Sequence, residues 1–158
     1  MPSKTINRTY PIIRIFKVGL LYFATVFGAG FLFGIIRTLW IAPRFGKRVA
    51  ELMESPFMLV VIICSAWWIL HRHEAPSGRS DLLRVGFIAL ALMLVAEFTL
   101  VLKLRGISIA EYFAGRDPVA GTVYYILLMA FALMPLFVAK KARKESQTSK
   151  LFKNTPVA

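Results

Sequence analysis

Glu97 is the residue of this sequence best suited to chemistry inside a membrane. It interrupts an apolar run that extends from Leu82 to Leu104 and lies beyond the middle of that run. A carboxylate at such a depth costs several kcal/mol unless it is paired, protonated or bound to a cation. Arg37 follows the first apolar run of the chain and should approach the same depth, so the two side chains are expected to form a buried ion pair.

Further polar groups should gather at the same end of the protein. If successive apolar runs alternate in direction, the ends of the first and third meet the beginnings of the second and fourth. The candidate binding cluster at this end comprises Arg37, Glu54, Glu97, Arg116, Asp117 and Tyr124. Such a cluster can bind a proton or a cation, or it can serve only to fix the register of the helices. The structural ion pair is the simpler interpretation.

The elements that must position these groups are transmembrane helices. Of the 158 residues, 58% are hydrophobic, and the mean hydropathy is +0.65, which is more than one small core can bury. The apolar runs are continuous instead of alternating, as helices in lipid require and barrel strands do not. We therefore predict an all-α polytopic membrane protein, a four-helix transmembrane bundle over residues 16–139, with spans at 16–36, 55–71, 82–104 and 118–139.

Two pairs of residues predict where helices begin. Ser55-Pro56 and Asp117-Pro118 each combine an N-cap side chain with a proline suited to the first helical position. Residues 46–54, which precede the first pair, have the apolar spacing of a short separate helix in the headgroup plane.

Two glycines in the first run predict a packing face. Gly30 and Gly34 have the small-x-x-x-small spacing that lets a neighbouring helix approach closely. In a chain with four spans, that neighbour is expected to belong to the same chain.

The basic residues predict the orientation and the lipid contacts. Counted together with the adjoining turns of the runs, the segments that precede the first run, join the second to the third and follow the fourth hold 13 lysines and arginines, against 7 in and beside the other two connections. By the positive-inside rule both termini, residues 1–15 and 140–158, are cytoplasmic. The net charge of +12 flanks the spans and suits anionic headgroups, and the polar tail at 140–158 is expected to be disordered.

The sequence lacks the patterns of the common enzyme and binding classes. There is no catalytic motif, no phosphate loop, no dinucleotide fingerprint and no nucleic-acid-binding motif. Cys64 is the one cysteine, and His71 and His73 point away from each other on a helix. We therefore predict no catalytic residue, no metal site, no cofactor and no nucleic-acid partner.

Three segments carry a resemblance to known proteins. Residues 27–44 (FGAGFLFGIIRTLWIAPR), 51–59 and 96–124 (AEFTLVLKLRGISIAEYFAGRDPVAGTVY) resemble a group of small four-helix bacterial inner-membrane proteins of no assigned function. The resemblance covers most of the chain apart from its ends. It implies a bacterial inner membrane and nothing about chemistry.

Three functions remain open at this stage. The favoured one is a non-enzymatic accessory or scaffolding protein, or a subunit of a larger membrane complex. The second is a small oligomeric transporter or channel in which Glu97 and Arg37 line a pathway. The third is an enzyme that modifies a lipid or quinone, with an outward active site built from Glu54, Glu97, Asp117 and Arg116.

The predicted orientation is testable by cysteine labelling in intact cells, with Cys64 replaced by serine. Single cysteines near Arg44 and Gly115 should react with an impermeant maleimide added outside, because the weaker positive charge puts both connections outside. A cysteine in the tail should not react. Labelling of the tail without labelling of either connection would show that the orientation is opposite to the predicted one.

Overall fold

The computed structural model describes residues 9–72, 78–105 and 117–153, and within these ranges the chain is helical except at Gly46, Gly78 and Asp117. The helices are α1 (Thr9–Ile36), α2 (Ala42–Phe45), α3 (Lys47–Arg72), α4 (Arg79–Arg105) and α5 (Pro118–Lys153), with a π-helical segment at Arg37–Ile41 between α1 and α2. These ranges contain no strand.

Four stretches of this structure are long and apolar enough to cross a membrane. They are Ile12–Phe45, Lys47–Arg72, Arg79–Leu100 and Pro118–Ala142. The shortest has 22 residues, which corresponds to roughly 33 Å at the rise of an α-helix and so matches a hydrocarbon core of about 30 Å. The prediction of an all-α four-helix transmembrane bundle is confirmed, and the chain is a multi-pass membrane protein.

Each long helix packs against two others. Helix α1 contacts α3 and α4, and α5 also contacts α3 and α4, so that α1 and α5 lie diagonally across the bundle from each other. The ends of α1 and α4 and the beginnings of α3 and α5 meet at one end, which we call the polar end because of the side chains described below.

A packed core fills the half of the bundle opposite the polar end. Its centre is a contact across the diagonal, in which the Tyr22 hydroxyl donates a hydrogen bond of 3.1 Å to the carbonyl of Phe131. The two rings stack with centroids 4.6 Å apart, and each residue is only 1% exposed. Because a hydroxyl in hydrocarbon needs an internal partner, this bond fixes the rotation of α1 relative to α5.

The closest helix contacts lie at two glycines of this core region. A methyl group added to Gly86 would overlap the backbone carbonyl of Ala132, and one added to Gly19 would lie 3.1 Å from the carbonyl oxygen of Val85. These positions bring α4 against α5 and α1 against α4.

The predicted packing glycines behave differently. Among the described residues, a methyl group on Gly30 would meet only the flexible side chain of Met58, at 3.3 Å, and one on Gly34 would meet no atom within 4 Å. No described helix therefore packs closely on Gly34, because small-x-x-x-small spacing marks a face of a helix without showing whether a neighbour covers it.

Helix α3 corrects the predicted boundary at Ser55-Pro56. The helix begins at Lys47, so the expected separate helix at 46–54 and the second span are one element with Pro56 inside it. The Ser55 hydroxyl does not cap a helix but donates to the carbonyl of Glu51 at 2.9 Å. The boundary between α2 and α3 is instead at Gly46, which has a φ of +81°. Glycine adopts this backbone conformation more readily than other residues do.

The first and the last helix are both longer than the sequence predicts. Helix α1 begins at Thr9, inside the segment 1–15 that was assigned to the cytoplasm, and α5 continues to Lys153. The expected disorder of 140–158 is thus replaced by helix as far as Lys153, while 154–158 lie outside the described residues. The added turns of α5, residues 140–153, are rich in lysine, which propagates an already nucleated helix well.

Replacement of Gly86 by alanine should destabilise the bundle, because the new methyl group would have to displace the backbone of α5. Overpacking of this kind costs about 1–3 kcal/mol. Thermal unfolding in one nonionic detergent measures the effect, and Gly28→Ala is the matched control, since a methyl group there meets no atom within 4 Å. An equal loss of stability in both variants would contradict the close α4–α5 contact.

Candidate functional site

A cavity of about 570 Å³ lies between the helices at the polar end. This volume is in the range of small-molecule binding sites. Helices α1, α3, α4 and α5 all contribute to its apolar wall, which includes Val26, Phe31, Ile35, Met58, Ile62, Met93, Leu100, Leu127, Leu128 and Phe131. Among the described residues, seven polar side chains line it, namely Arg37, Thr38, Glu51, Glu54, Ser55, Glu97 and Tyr124.

The packed core forms the floor of this cavity. Val26 and Phe131 belong both to the cavity wall and to the buried core around Tyr22. Below them, Ile15, Val18, Ile69 and other buried side chains continue the core towards the opposite end. The cavity therefore occupies one half of the bundle.

An ion pair joins α1 and α3 at the cavity. Nη1 of Arg37 lies 3.0 Å from Oε2 of Glu54, and the side chains are 31% and 12% exposed. The same oxygen is buried. The guanidinium therefore compensates the charge of Glu54 at hydrogen-bonding distance.

Glu97 is held by a different partner. The Tyr124 hydroxyl of α5 donates a hydrogen bond to Oε2 of Glu97 on α4. The predicted ion pair between Arg37 and Glu97 is therefore replaced by the pairs Arg37–Glu54 and Tyr124–Glu97. The reason lies in α3, whose unbroken course through Pro56 brings Glu54 inside the bundle, next to Arg37, instead of leaving it in a surface connection.

Asp117 serves the start of α5. Its Oδ1 accepts hydrogen bonds of 3.0 Å from the backbone nitrogens of both Val119 and Ala120, as the N-cap prediction requires. The same atom lies 3.2 Å from Nε of Arg48 on α3. Asp117 is outside the cavity lining, and its side chain stabilises the polar end from the surface.

The predicted cluster is therefore brought together in part. Four of its residues line the cavity, namely Arg37, Glu54, Glu97 and Tyr124, while Asp117 does not, and Arg116 lies outside the described residues.

Sequence reasoning missed Glu51 as a cavity residue. It falls within residues 46–54, which the sequence predicts as a separate helix in the headgroup plane, but in the continuous α3 it lies one turn before Glu54 and lines the cavity. In a continuous helix, the i, i+3 spacing of Glu51 and Glu54 predicts that both carboxylates lie on the same face. This spacing is the signal that could have identified Glu51.

Gly30 and Gly34 of α1 also belong to the cavity lining. Since a methyl group on Gly34 would meet no atom of the described residues within 4 Å, this glycine borders open space instead of a neighbouring helix. Any larger side chain at this position would occupy part of the cavity.

Comparison with known proteins gives no relative of this chain. No protein family, no curated protein and no solved structure matches it. The site must therefore be interpreted from its own geometry.

Loss of one partner of the Arg37–Glu54 pair should destabilise the protein. In Arg37→Met, the largely buried carboxylate of Glu54 would lose its counter-ion at a cost of about 2 kcal/mol, less than for a fully buried pair because Arg37 is partly exposed. The double variant Arg37→Met/Glu54→Leu should recover most of this loss. Thermal unfolding in detergent measures both.

The surface pair Arg84–Asp81 provides the control. Its atoms are also 3.0 Å apart, but the side chains are 64% and 33% exposed, so Arg84→Met should change stability by less than about 1 kcal/mol. Equal losses in Arg37→Met and Arg84→Met would show that the pair at the cavity has no special role.

Proposed function

We propose that this chain is a non-enzymatic accessory protein of the membrane that binds one amphipathic, lipid-like molecule in the cavity at its polar end. The observation that carries the proposal is the cavity itself, which has a long apolar wall on four helices and charged groups at one end only. Such a site matches a molecule with an apolar tail and a polar head.

The depth of the polar groups supports a ligand whose head lies near the membrane interface and whose tail points into the bundle. Glu54 lies seven residues after Lys47, where the second membrane-spanning stretch begins, and so roughly 10 Å along the helix. A headgroup held there would remain close to the membrane interface, while its tail would extend along Met58, Ile62 and Met93 towards the packed core.

The floor of the cavity favours binding over conduction. A channel or transporter needs a route through the whole bundle, and in the described part of the chain the half below the cavity is filled by the core around Tyr22 and Phe131. The route would require that the diagonal hydrogen bond between these residues be broken.

The pairing of the polar groups favours binding over catalysis. Arg37 is engaged by Glu54, and Glu97 accepts a hydrogen bond from Tyr124. Groups paired in this way can hold a headgroup in place, and the accessory role proposed for the chain needs no more than that.

We also propose that the protein resides in the inner membrane of a bacterium with both termini in the cytoplasm. The distribution of 13 against 7 basic residues supports the cytoplasmic termini. The resemblance of residues 27–44, 51–59 and 96–124 to small bacterial inner-membrane proteins supports the location. In this orientation the cavity lies towards the outer leaflet, and the basic flanks contact anionic headgroups on the cytoplasmic side.

The proposal is tested by filling the cavity. Wild-type protein purified in a mild detergent should retain about one amphipathic molecule per chain, measured by extraction and mass spectrometry. In Gly34→Phe the aromatic ring would occupy the cavity and this molecule should be lost. Phenylalanine has a higher helix propensity than glycine, so α1 should still form.

Gly28→Phe is the matched control. Gly28 is in the same helix, a methyl group there also meets no atom within 4 Å, and it is not part of the cavity lining. It should therefore keep the bound molecule. Equal retention in both variants, or a wild-type protein that carries no molecule in near-stoichiometric amount, would overturn the proposal.

A further inference from the structure

We infer that the molecule in the cavity is a lipid of the bilayer, and that it enters sideways through an opening between α1 and α4 whose rim includes Phe31, Ile35 and Leu100. The inference rests on the proposed function and adds the source of the ligand and its route. It follows from the distribution of exposed residues around the cavity and from the depth at which they lie.

The exposed part of the cavity lining belongs to one side of the bundle. Four large apolar residues of the lining are 40% to 65% exposed, namely Phe31, Ile35, Leu39 and Leu100. The first two lie on α1, Leu39 lies in the π-helical segment that follows it, and Leu100 lies on α4. Among the described lining residues of α3 and α5, none is exposed. The cavity is therefore covered on the side of α3 and α5 and open on the side of α1 and α4.

The contacts of α1 with α3 place the opening on the other side of α1. Gly30 and Arg37 face α3, where they meet Met58 and Glu54. At 100° per residue, the exposed lining residues at positions 31 and 35 are rotated by roughly 100–140° from Gly30 about the helix axis. Since α4 is the other long helix that packs extensively against α1, the opening lies between these two helices.

The two helices do not have to separate to create this opening. They meet closely in the packed half, where a methyl group on Gly19 would lie 3.1 Å from the carbonyl oxygen of Val85. The exposed lining begins at Phe31, roughly 18 Å further along α1. The contact at Gly19 thus holds α1 against α4 below the opening.

The π-helical segment forms the edge of the opening nearest the polar end. It extends over Arg37–Ile41, has no buried residue, and contributes the exposed lining residue Leu39. Segments of this kind are rare and occur frequently at functional sites. Their rarity supports a functional role for this edge of the cavity.

The depth of the rim shows that it faces hydrocarbon. Phe31 and Ile35 lie inside the membrane-spanning stretch Ile12–Phe45. Phe31 is roughly 9 Å further from the polar end than Arg37. A molecule that passes between apolar side chains at this depth comes from the bilayer, because the hydrocarbon region holds no water to deliver it.

Entry from water would instead have to pass the polar end. The Arg37–Glu54 ion pair and the hydrogen bond from Tyr124 to Glu97 lie there. An apolar chain that passed these groups would remove part of their hydration without replacing it. Sideways entry leaves both pairs intact, and a lipid with two chains can insert one of them and leave the other in the bilayer.

The route is tested by placing a bulky group at the opening. Ile35→Cys in a Cys64→Ser background is labelled with pyrene maleimide while the protein carries its bound molecule. The protein is reconstituted with excess deuterated phosphatidylethanolamine and phosphatidylglycerol, and the original molecule still bound after extraction is measured over time by mass spectrometry. Its rate of loss should fall about tenfold or more relative to unlabelled protein, because the pyrene must move aside at each passage and a modest rise in a barrier slows a step by this factor.

Leu32→Cys is the matched control for the label. Leu32 is exposed on the same helix and is not part of the cavity lining. Pyrene at this residue should leave the rate of loss unchanged. Equal rates in the two labelled proteins, whether fast or slow, would overturn the route between α1 and α4.

Leu100→Trp narrows the opening from the side of α4 without a label. It decides the case in which pyrene at the α1 position expels the bound molecule. The molecule should be lost more slowly than from Val95→Trp, since Val95 is exposed on α4 but lies outside the cavity lining. The same rate of loss from these two tryptophan variants would contradict the opening.

The outcomes separate this inference from the proposed function. If the variants at the rim exchange like their controls while wild type carries a molecule that Gly34→Phe lacks, the route is wrong and the cavity remains a binding site. If mass spectrometry identifies a water-soluble compound in place of a bilayer lipid, the source is wrong. If wild type and Gly34→Phe carry the same amount, both proposals fail.

Discussion

The structure depends on one constraint, namely that polar groups inside a bilayer must find their partners within the protein. In the packed half, the Tyr22 hydroxyl meets this constraint by donating to the carbonyl of Phe131 across the bundle. In the other half, Tyr124 donates to Glu97, and Arg37 compensates Glu54. Because these contacts join different helices, satisfying them also sets how the helices are rotated and how deeply each one lies.

The ion pair at the cavity shows how this constraint acts on charged groups. Oε2 of Glu54 is buried, and Nη1 of Arg37 lies 3.0 Å from it. A carboxylate at this depth without a counter-ion would lower the stability of the protein. The pair therefore holds α1 against α3 beside the cavity.

Glycine has two opposite uses in the two halves of the bundle. At Gly86 and Gly19 the missing side chain lets neighbouring backbones approach closely. Close approach strengthens van der Waals packing, on which helices in lipid depend because their apolar surfaces gain nothing by leaving lipid. At Gly34 it leaves open space at the cavity. One half of the bundle is thereby filled, and the other half contains the cavity.

The sequence by itself determined the number of membrane-spanning stretches, their approximate positions, the cap at Asp117 and four of the polar residues that line the cavity. These follow from hydropathy, chain direction and local capping, which are properties of short segments. Only the tertiary structure decided that α3 continues through Pro56, that Arg37 pairs with Glu54 and Tyr124 with Glu97, and that Gly34 faces a cavity. Pairing and open space depend on the rotation and separation of neighbouring helices, and those are set by the packing of the whole bundle.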